Sequence, residues 1–324
     1  METDPSRSLR GQESPTQEHA GSSQYRLPLP ARGSFLSYPP QPKLKRLQHP
    51  VWTENKAKLI ERYLYYFVLI THHGTYIDGF AGPQRPDQPN MWAAKLVLES
   101  EPMWFRHFYL FDNNKGQFSA LERLRASQPT VDHKGARLHR DIDVQCTDFN
   151  VAVHKLLGSG VIAQKEATFC LLDQRTFECH WATLKALAGY KREGELKIEL
   201  FYFLPQHWIK RALSGVTRNT LQVSDWWGKE DWSELRGMPA DSIRQATVSR
   251  IQNELHYKTA TPWPIFERHD GGRIMYSMIH ATDHPEAPHL MSRAYEKAVQ
   301  PKETSEQLGL HYEEPVPEPH DSRP

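Results

Sequence analysis

The stretch Tyr76-Ile77-Asp78-Gly79-Phe80-Ala81-Gly82-Pro83 decides the fold, because a short apolar strand ends there in an acid and a glycine-containing turn. Gly74 and Thr75 precede it as a turn into that strand. Gly79 and Gly82 permit backbone conformations, and a close ligand approach, that a Cβ atom would forbid. Such a strand and turn are typical of sites for nucleotide-like cofactors, which predicts a ligand at the carboxyl end of this strand.

Helical and strand signals alternate across residues 46–300, which is the pattern of an α/β domain with a mainly parallel sheet. The predicted strands are Thr75–Asp78, Phe105–Phe111, Ile142–Thr147, Thr168–Leu172, Ile198–Leu204, and the pair Pro264–Glu267 and Ile274–His280 around Asp270-Gly271-Gly272. That last pair predicts a C-terminal antiparallel hairpin. The predicted helices are Glu54–Leu69 behind an N-cap at Thr53, Trp92–Glu99, a segment ending near Ala126, Trp181–Tyr190, a segment from about Pro205, a helical insertion over about 222–258, and Pro285–Val299 behind Thr282 or Asp283.

Acidic residues follow the first four predicted strands: Asp78, Asp112, Asp148 and Asp173. The carboxyl ends of strands in a doubly wound sheet meet at one crevice, so we expect these side chains to converge on one ligand. Asp112 is placed to accept hydrogen bonds from ribose hydroxyls, Asp148 from an adenine amino group, and Asp173 to face a reacting group. The competing interpretation is that each Asp caps the following helix.

The glycine pattern narrows the choice of ligand. Asp78-Gly79-Phe80-Ala81-Gly82 lacks the third spaced glycine of the dinucleotide fingerprint, and the chain has no G-x-x-x-x-G-K-[ST] loop. NAD and ATP are therefore less favoured than another adenosyl ligand.

Composition places the chain among intracellular globular proteins. Three cysteines without C-x-x-C spacing fit a reducing compartment, and no apolar run reaches the roughly 18 residues of a membrane span. We therefore expect a cytoplasmic protein that does not enter a membrane. Residues 1–45 and 301–324, poor in large apolar residues, are expected to be a disordered arm and a disordered tail.

Charge leaves the question of nucleic-acid binding open. Forty basic against 39 acidic residues give a formal net charge of +1, so binding to nucleic acid would need a local patch. The basic residues that could contact phosphate, or equally populate a solvated helix face, are Lys43, Lys45, Arg46, Lys185, Lys191, Arg192, Lys210 and Arg211.

The sequence resembles the three-Cys-motif partner proteins (TcmP) in an ordered set of segments: YIDGFAGP (76–83), FDNN (111–114), LLDQRTFECHW (171–181), FYFLP (201–205) and IHATDHPEAPHLMSRAYEKA (279–298). The resemblance covers about residues 50–300, and the core of that family resembles class I S-adenosylmethionine-dependent methyltransferases. It implies a Rossmann-like class I methyltransferase fold, S-adenosylmethionine at the first strand, and a separate partner protein that carries the cysteine motif. The cofactor contacts that it implies are Asp78, Gly79, Phe80, Gly82, Asp112, Asn113 and Asp148.

Two segments depart from the family pattern. Gln84 stands where members commonly have another glycine, and its side chain could crowd or hydrogen-bond the methionine end of the cofactor. Asp173-Gln174-Arg175-Thr176-Phe177 resembles the [DN]PPY loop of amino-methyltransferases in position but not in letter. The likeness implies that Asp173 and Phe177 are catalytic, with Trp181 completing a slot for a nucleic-acid base. The alternative is that Phe177 and Trp181 belong to the core.

A histidine run near the C-terminus also has the residue types of a metal site. His280, Asp283, His284 and His289 include ligands that zinc accepts. Because His280 ends a strand and His284 starts a helix, capping or packing explains them as well, and we expect no metal. Cys170, inside an apolar strand, is expected to be a small buried hydrophobe.

Three functions remain open at this point. The first is a methyltransferase-like enzyme that binds S-adenosylmethionine and modifies a nucleic-acid base. The second is a non-catalytic partner of a three-Cys-motif protein that retains the methyltransferase fold, and the third is a nuclease whose acids hold Mg²⁺. The retained acids favour the first function, and Gln84 with Gln174-Arg175-Thr176 favours the second.

Overall fold

The computed structural model describes residues 52–85, 87–218, 220–268 and 271–299. The expected disordered arm (1–45) and tail (301–324) lie outside the described residues, as do Lys43, Lys45 and Arg46 and the turn residue Asp270.

Helices and strands alternate along the described chain. The helices are α1 (Trp52–Thr71), α2 (Ala93–Glu99), α3 (Lys115–Ala126), α4 (Phe149–Gly158), α5 (Trp181–Ala188), α6 (Gln206–Gly215), α7 (Thr220–Trp227), α8 (Ala240–Leu255) and α9 (Ala287–Val299). The strands are β1 (Thr75–Asp78), β2 (His107–Phe111), β3 (Asp141–Gln145), β4 (Thr168–Leu172), β5 (Glu199–Leu204), β6 (Thr259–Arg268) and β7 (Gly271–Thr282). Short 3₁₀ helices occupy Pro89–Met91 and Glu230–Leu235.

The seven strands form one sheet in the order β3-β2-β1-β4-β5-β7-β6. The pairs among the first five strands are parallel, whereas β7 is antiparallel to both of its neighbours, β5 and β6. The prediction of a mainly parallel sheet with a C-terminal antiparallel hairpin is confirmed.

Side chains alternate between the two faces of the sheet and build a core on each. Tyr76, Phe169 and Phe201 pack on the face covered by α1, α2, α3 and α9. Ile77 and Cys170, which directly follow Tyr76 and Phe169, pack on the face covered by α4 to α8. This two-sided burial makes the central strands apolar throughout and fixes which edge of the sheet their following residues reach. Cys170 is a small buried hydrophobe, as expected.

Several predicted boundaries are wrong. Thr53 lies inside α1 and is not its N-cap, and α9 begins at Ala287. Asp283 does not cap α9, because its carboxylate accepts from the Lys258 N–H at 2.8 Å. Thr282 does not cap α9 either, since its hydroxyl accepts from the His284 N–H at 3.0 Å.

Two strands also differ from the prediction. The third ends at Gln145, so Asp148 follows it after a short connection instead of directly. Strand β6 starts at Thr259, five residues before the predicted Pro264. Pro262 and Pro264 are tolerated there because β6 lies at the edge of the sheet, where one side of the strand has no ladder to maintain.

None of the helices in the described part of the chain combines the length and the apolar character that a membrane span needs.

Candidate functional site

A cavity of about 300 Å³ opens at the carboxyl edge of the sheet, beside the ends of β1, β2 and β4 and the start of α4. The predicted site residues in its wall are Gly79, Phe80, Gly82, Asp112, Asn113, Asp148, Asp173 and Phe177. Gln84, the residue that departs from the family pattern, also lines it. The structure therefore brings these residues, spread over about 100 positions of sequence, around one space.

Asp78 is predicted to contact the cofactor but does not line this cavity. Its side chain is 1% exposed and accepts hydrogen bonds from the Tyr76 hydroxyl at 2.9 Å and the Phe80 N–H at 3.1 Å. Burial raises the pKa of Asp78 to about 7, although both hydrogen bonds act in the opposite direction. These two hydrogen bonds connect the turn after β1 to the strand itself. The Asp78 carboxylate is not part of the cavity wall.

The turn after β1 is anchored to both neighbouring strands. The Gly79 N–H donates to the Leu171 carbonyl at 3.1 Å, and the Ala81 N–H donates to the Phe111 carbonyl at 2.8 Å. These bonds connect the turn to β4 on one side and to β2 on the other, so they fix the floor of the cavity.

Gly79 and Gly82 are required by the protein's own packing. A Cβ atom on Gly79 would meet the Phe149 ring at 2.5 Å, and one on Gly82 would meet an Asp112 carboxylate oxygen at 2.5 Å. Neither glycine has the positive φ that favours glycine. The expectation that they serve unusual backbone conformations is wrong, and the groups that approach them closely belong to the protein itself.

Asp112 forms the wall next to Gly82. Its Oδ2 accepts from the Gly82 N–H at 3.0 Å, and its Oδ1 accepts from the Asn114 N–H at 2.8 Å. The N-cap of α3 is Asn114, so the capping interpretation of Asp112 is wrong. Burial raises the pKa of Asp112 above its ordinary value, against the lowering effect of these two hydrogen bonds.

Asp148 does cap a helix. Its Oδ1 accepts from the Asn150 N–H at 2.7 Å at the start of α4. The carboxylate is nevertheless exposed and lines the cavity, so capping leaves it able to accept a further hydrogen bond there.

Asp173 is held by a lysine that the sequence analysis did not single out. The ammonium of Lys56, on α1, lies 2.8 Å from Oδ1 and 2.6 Å from Oδ2 of Asp173. The two side chains are only 5% and 14% exposed. Lys56 also lies 4.9 Å from the centre of the Phe203 ring, so aromatic and carboxylate groups together surround its charge.

The signal for Lys56 is present in the sequence. Lys56 precedes Leu59, Ile60 and Tyr63 by three, four and seven positions, so it lies on the buried stripe of α1. A lysine on such a stripe needs a buried partner, because an unpaired charge there is costly.

The loop after β4 is packed into the protein. Gln174 is fully buried; its amide donates to the Phe203 carbonyl at 3.3 Å and accepts from the Cys179 N–H at 2.9 Å. Phe177 is 6% exposed, with its ring centre 5.0 Å from that of Trp226. Phe177 belongs to the core and also contributes to the cavity wall.

Trp181 does not complete a slot beside Phe177. It is buried beneath the Arg250 guanidinium, whose centre lies 4.0 Å from the ring, and it does not line the cavity. For Trp181, the prediction of a base-binding slot is wrong and the core interpretation holds.

Two further polar residues that the sequence analysis singled out, His280 and Lys191, have partners within the protein. His280 contacts Glu199 at 2.9 Å, and among the described residues no three His, Cys, Asp or Glu side chains are grouped so that they could hold a metal ion. Lys191 is buried and donates to the carbonyls of Ala163 and Glu166 at 2.7 and 2.8 Å. Burial lowers the pKa of Lys191 to about 8, and the proposal that it contacts phosphate is wrong.

No family model and no curated protein matches the chain. Among solved structures, protein LPL1258 from Legionella pneumophila strain Philadelphia 1 (family model DUF519) is similar over 78% of this chain and 92% of that one, with 10% identity and a TM-score of 0.39. A likeness at that level carries no argument about function.

Proposed function

We propose that the chain binds S-adenosylmethionine in the cavity at the carboxyl edge of the sheet and is of the class I methyltransferase type. The observation that carries the proposal is the position of Asp112, which lines the cavity just after the second strand. An acid at this point of a doubly wound sheet commonly accepts hydrogen bonds from ribose hydroxyls. The C-terminal antiparallel hairpin supports the same proposal, because the resemblance to class I methyltransferases implies it.

The donor and acceptor groups of the wall fit an adenosyl ligand. Each oxygen of Asp112 accepts one backbone N–H, and a carboxylate offers about four acceptor sites, so capacity remains for ribose hydroxyls. Asp148 supplies a further acceptor for an adenine amino group, and Phe80 and Phe149 supply apolar surface. A volume of about 300 Å³ lies at the lower end of the range for small-molecule sites.

Asp173 is the residue best placed to meet a methyl acceptor. Bound S-adenosylmethionine supplies an electrophilic methyl group. Asp173 keeps lone pairs beyond its two contacts with Lys56, so it can accept an N–H or O–H from an acceptor and orient it. A nucleic-acid base as that acceptor, and a three-Cys-motif protein as partner, are further parts of this proposal that rest on the resemblance.

A second function, that of a non-catalytic partner that keeps the fold, is favoured by the loop after β4. Asp173 already forms an ion pair with Lys56, the buried Gln174 side chain accepts a hydrogen bond from the Cys179 N–H, and the Phe177 ring packs against Trp226. These contacts leave fewer free groups for an acceptor than an open loop would. No observation favours the magnesium-dependent nuclease, since the described residues contain no metal-type cluster of acids.

Calorimetric titration with S-adenosylmethionine and S-adenosylhomocysteine tests the proposal. We expect saturable binding of both, and binding weakened about ten- to a hundredfold by Asp112→Asn, because a hydrogen bond to a charged group contributes about 1.5–3 kcal/mol. Asp132→Asn is the matched control: Asp132 also accepts two backbone N–H groups, at 2.8 Å each, but does not line the cavity. Absence of binding by folded protein would overturn the proposal. Binding without methyl transfer to any acceptor would favour the non-catalytic partner.

A further inference from the structure

A second cavity, of about 170 Å³, lies at the amino edge of the sheet, opposite the edge that carries the first one. The residues just before β4 and the start of β5 form one side, and the last turns of α1 and the first turn of α9 form the other. None of its lining residues belongs to the cavity described above.

A buried polar cluster forms part of its wall. Oε2 of Glu199 accepts from the Tyr63 hydroxyl and lies 2.9 Å from Nε2 of His280. Tyr63 and His280 are each 1% exposed, and Glu199 is 8% exposed. Burial and the neighbouring Glu199 raise the pKa of Tyr63 well above its ordinary value, so the hydroxyl keeps its proton and donates.

Both internal contacts of Glu199 end on the same oxygen. With the described residues, its Oε1 forms no hydrogen bond, and Glu199 lines the cavity. Because Oε1 is neither hydrogen-bonded within the described residues nor sealed from solvent, this oxygen is open to the cavity. The oxygen that Glu199 leaves to the cavity is therefore a ready acceptor for a donor that enters it.

The rest of the wall is largely apolar. Phe67, Ala287 and Leu290 line the interior, and Ile70 and Leu196 line the cavity while remaining substantially exposed. Such a surface favours a ligand whose body is hydrocarbon over a cluster of waters, since burial of apolar area is favourable.

Charge in the wall favours a cation. Three carboxylates (Glu166, Glu195 and Glu199) and two ammoniums (Lys165 and Lys197) line the cavity. Oε1 of Glu166 already accepts from the Thr75 hydroxyl at 2.8 Å and lies 2.9 Å from Nδ1 of His107, which leaves Glu195 and Glu199 as the carboxylates open to a cation. Lys197 is committed to Asp283, at 3.6 Å, and to the His256 carbonyl. His284 also lines the cavity, and its Nδ1 accepts from the Glu286 N–H at 3.2 Å.

We propose that this cavity binds a small apolar amine, whose ammonium donates to Oε1 of Glu199 while its hydrocarbon part packs against Phe67 and Leu290. The volume of about 170 Å³ is below the roughly 300–1,000 Å³ of sites for drug-sized molecules, which restricts the ligand to a compact one. The proposal does not depend on the cofactor proposed for the other edge of the sheet.

Ligand-observed NMR titration of the full chain tests it, with phenethylammonium as the probe and with phenethyl alcohol and hydrocinnamate as its neutral and anionic counterparts. We expect saturable binding of phenethylammonium, binding of the alcohol at least about tenfold weaker, and none of the anion. Glu199→Gln keeps an oxygen for Tyr63 and His280 but presents an amide donor to the cavity, so it should weaken phenethylammonium binding at least about tenfold. Binding of S-adenosylmethionine by Glu199→Gln should equal that of the wild type.

A surface variant covers the case in which Glu199→Gln does not fold. Leu196 lines the cavity and is 51% exposed, so Leu196→Lys places a positive charge at the entrance and should also weaken phenethylammonium binding. Val131→Lys is the control, since Val131 is 48% exposed and lines neither cavity. Absence of saturable phenethylammonium binding by folded wild type, equal binding of hydrocinnamate, or unchanged binding in both folded cavity variants would overturn the proposal.

Discussion

The ammonium of Lys56 on α1 lies within 2.8 Å of both carboxylate oxygens of Asp173 after β4, although the two residues are 117 positions apart. The pair joins the first helix of the described chain to the end of a central strand. The pair also places an opposite charge beside a carboxylate of the cavity wall, because Asp173 lines the cavity and Lys56 balances its charge.

Lys56→Met should destabilise the protein by about 1–3 kcal/mol, because it leaves the largely buried Asp173 carboxylate without its charged partner. Lys56→Met combined with Asp173→Asn should recover part of that loss, since no unpaired charge remains. Urea unfolding of the single and double variants measures the coupling. Lys58→Met, which breaks the exposed pair of Lys58 with Glu54 on the same helix, should change stability by less than about 1 kcal/mol. Equal effects of Lys56→Met and Lys58→Met would contradict the structural role of the buried pair.

Asp78 should make the protein less stable as the pH rises from about 4 to 7. Its folded-state pKa is raised to about 7, so in this range folded Asp78 holds a proton that the unfolded chain has released. This contribution of Asp78 to the free energy of unfolding is fully present below the unfolded pKa and is lost as the pH rises through about 7, and it amounts to about 4 kcal/mol in total. Asp78→Asn mimics the neutral acid and should remove this part of the pH dependence. Denaturant unfolding between pH 4.5 and 8, at intervals of about half a unit, checks it; identical pH profiles for variant and wild type would rule it out.

Gly82→Ala should lower both stability and binding at the first cavity. Its Cβ would lie 2.4 Å from Cβ of Gln117 and 2.5 Å from an oxygen of Asp112, so the Asp112 carboxylate must move. We expect a loss of about 1–3 kcal/mol and weaker binding of S-adenosylmethionine. Gly158→Ala is the control, because a Cβ at Gly158 meets nothing within 4 Å. Thermal unfolding measures the stability of both variants, and calorimetry measures their binding of S-adenosylmethionine. Equal stability and equal binding of the two variants would contradict the close packing described at Gly82.

Arg250→Lys should not behave as a conservative change. The Arg250 guanidinium lies 4.0 Å from the Trp181 ring and 4.1 Å from the Trp227 ring, and it also binds Glu254 through two nitrogens at 2.8 and 2.9 Å. A lysine can neither stack between two indoles nor form the two-pronged contact, so we expect a loss of about 2 kcal/mol in urea unfolding.

The control for this prediction is Arg244→Lys in the same helix. Arg244 pairs with the largely exposed Asp241 at 3.1 Å, and its replacement should cost less than about 0.5 kcal/mol. A loss at Arg250 no larger than the loss at Arg244 would show that the indole sandwich contributes little.

The local sequence was sufficient to predict the bounds of two central strands. Thr75–Asp78 and Thr168–Leu172 were predicted with the bounds that the structure has, because a strand buried on both faces is an apolar run between breaking residues. The predicted bounds failed for β6, which begins at Thr259 and not at Pro264; its N-terminal half contains Pro262, which an edge strand tolerates.

The candidate site was predictable in membership but not in its contacts. Parallel strand ends meet at one edge, which is enough to bring Asp112, Asp148 and Asp173 to one cavity. What occupies the space beside Gly79, or which lysine neutralises Asp173, depends on tertiary packing between distant segments. The position of Lys56 on the buried stripe of α1 indicates a buried partner, but neither its pairing with Asp173 nor the contact of Gly79 with Phe149 has a local sequence pattern.

The position of β7 between β5 and β6 has a consequence for synthesis on the ribosome. Residues 271–282 emerge after both strands that they join, so the outer edge of β5 remains without a neighbour while the helices that follow it are being made. An open edge of this kind can recruit other nascent chains. A chain whose translation stops after α8 should therefore be prone to aggregation. In the complete chain, the hairpin of β6 and β7 covers the open edge of β5.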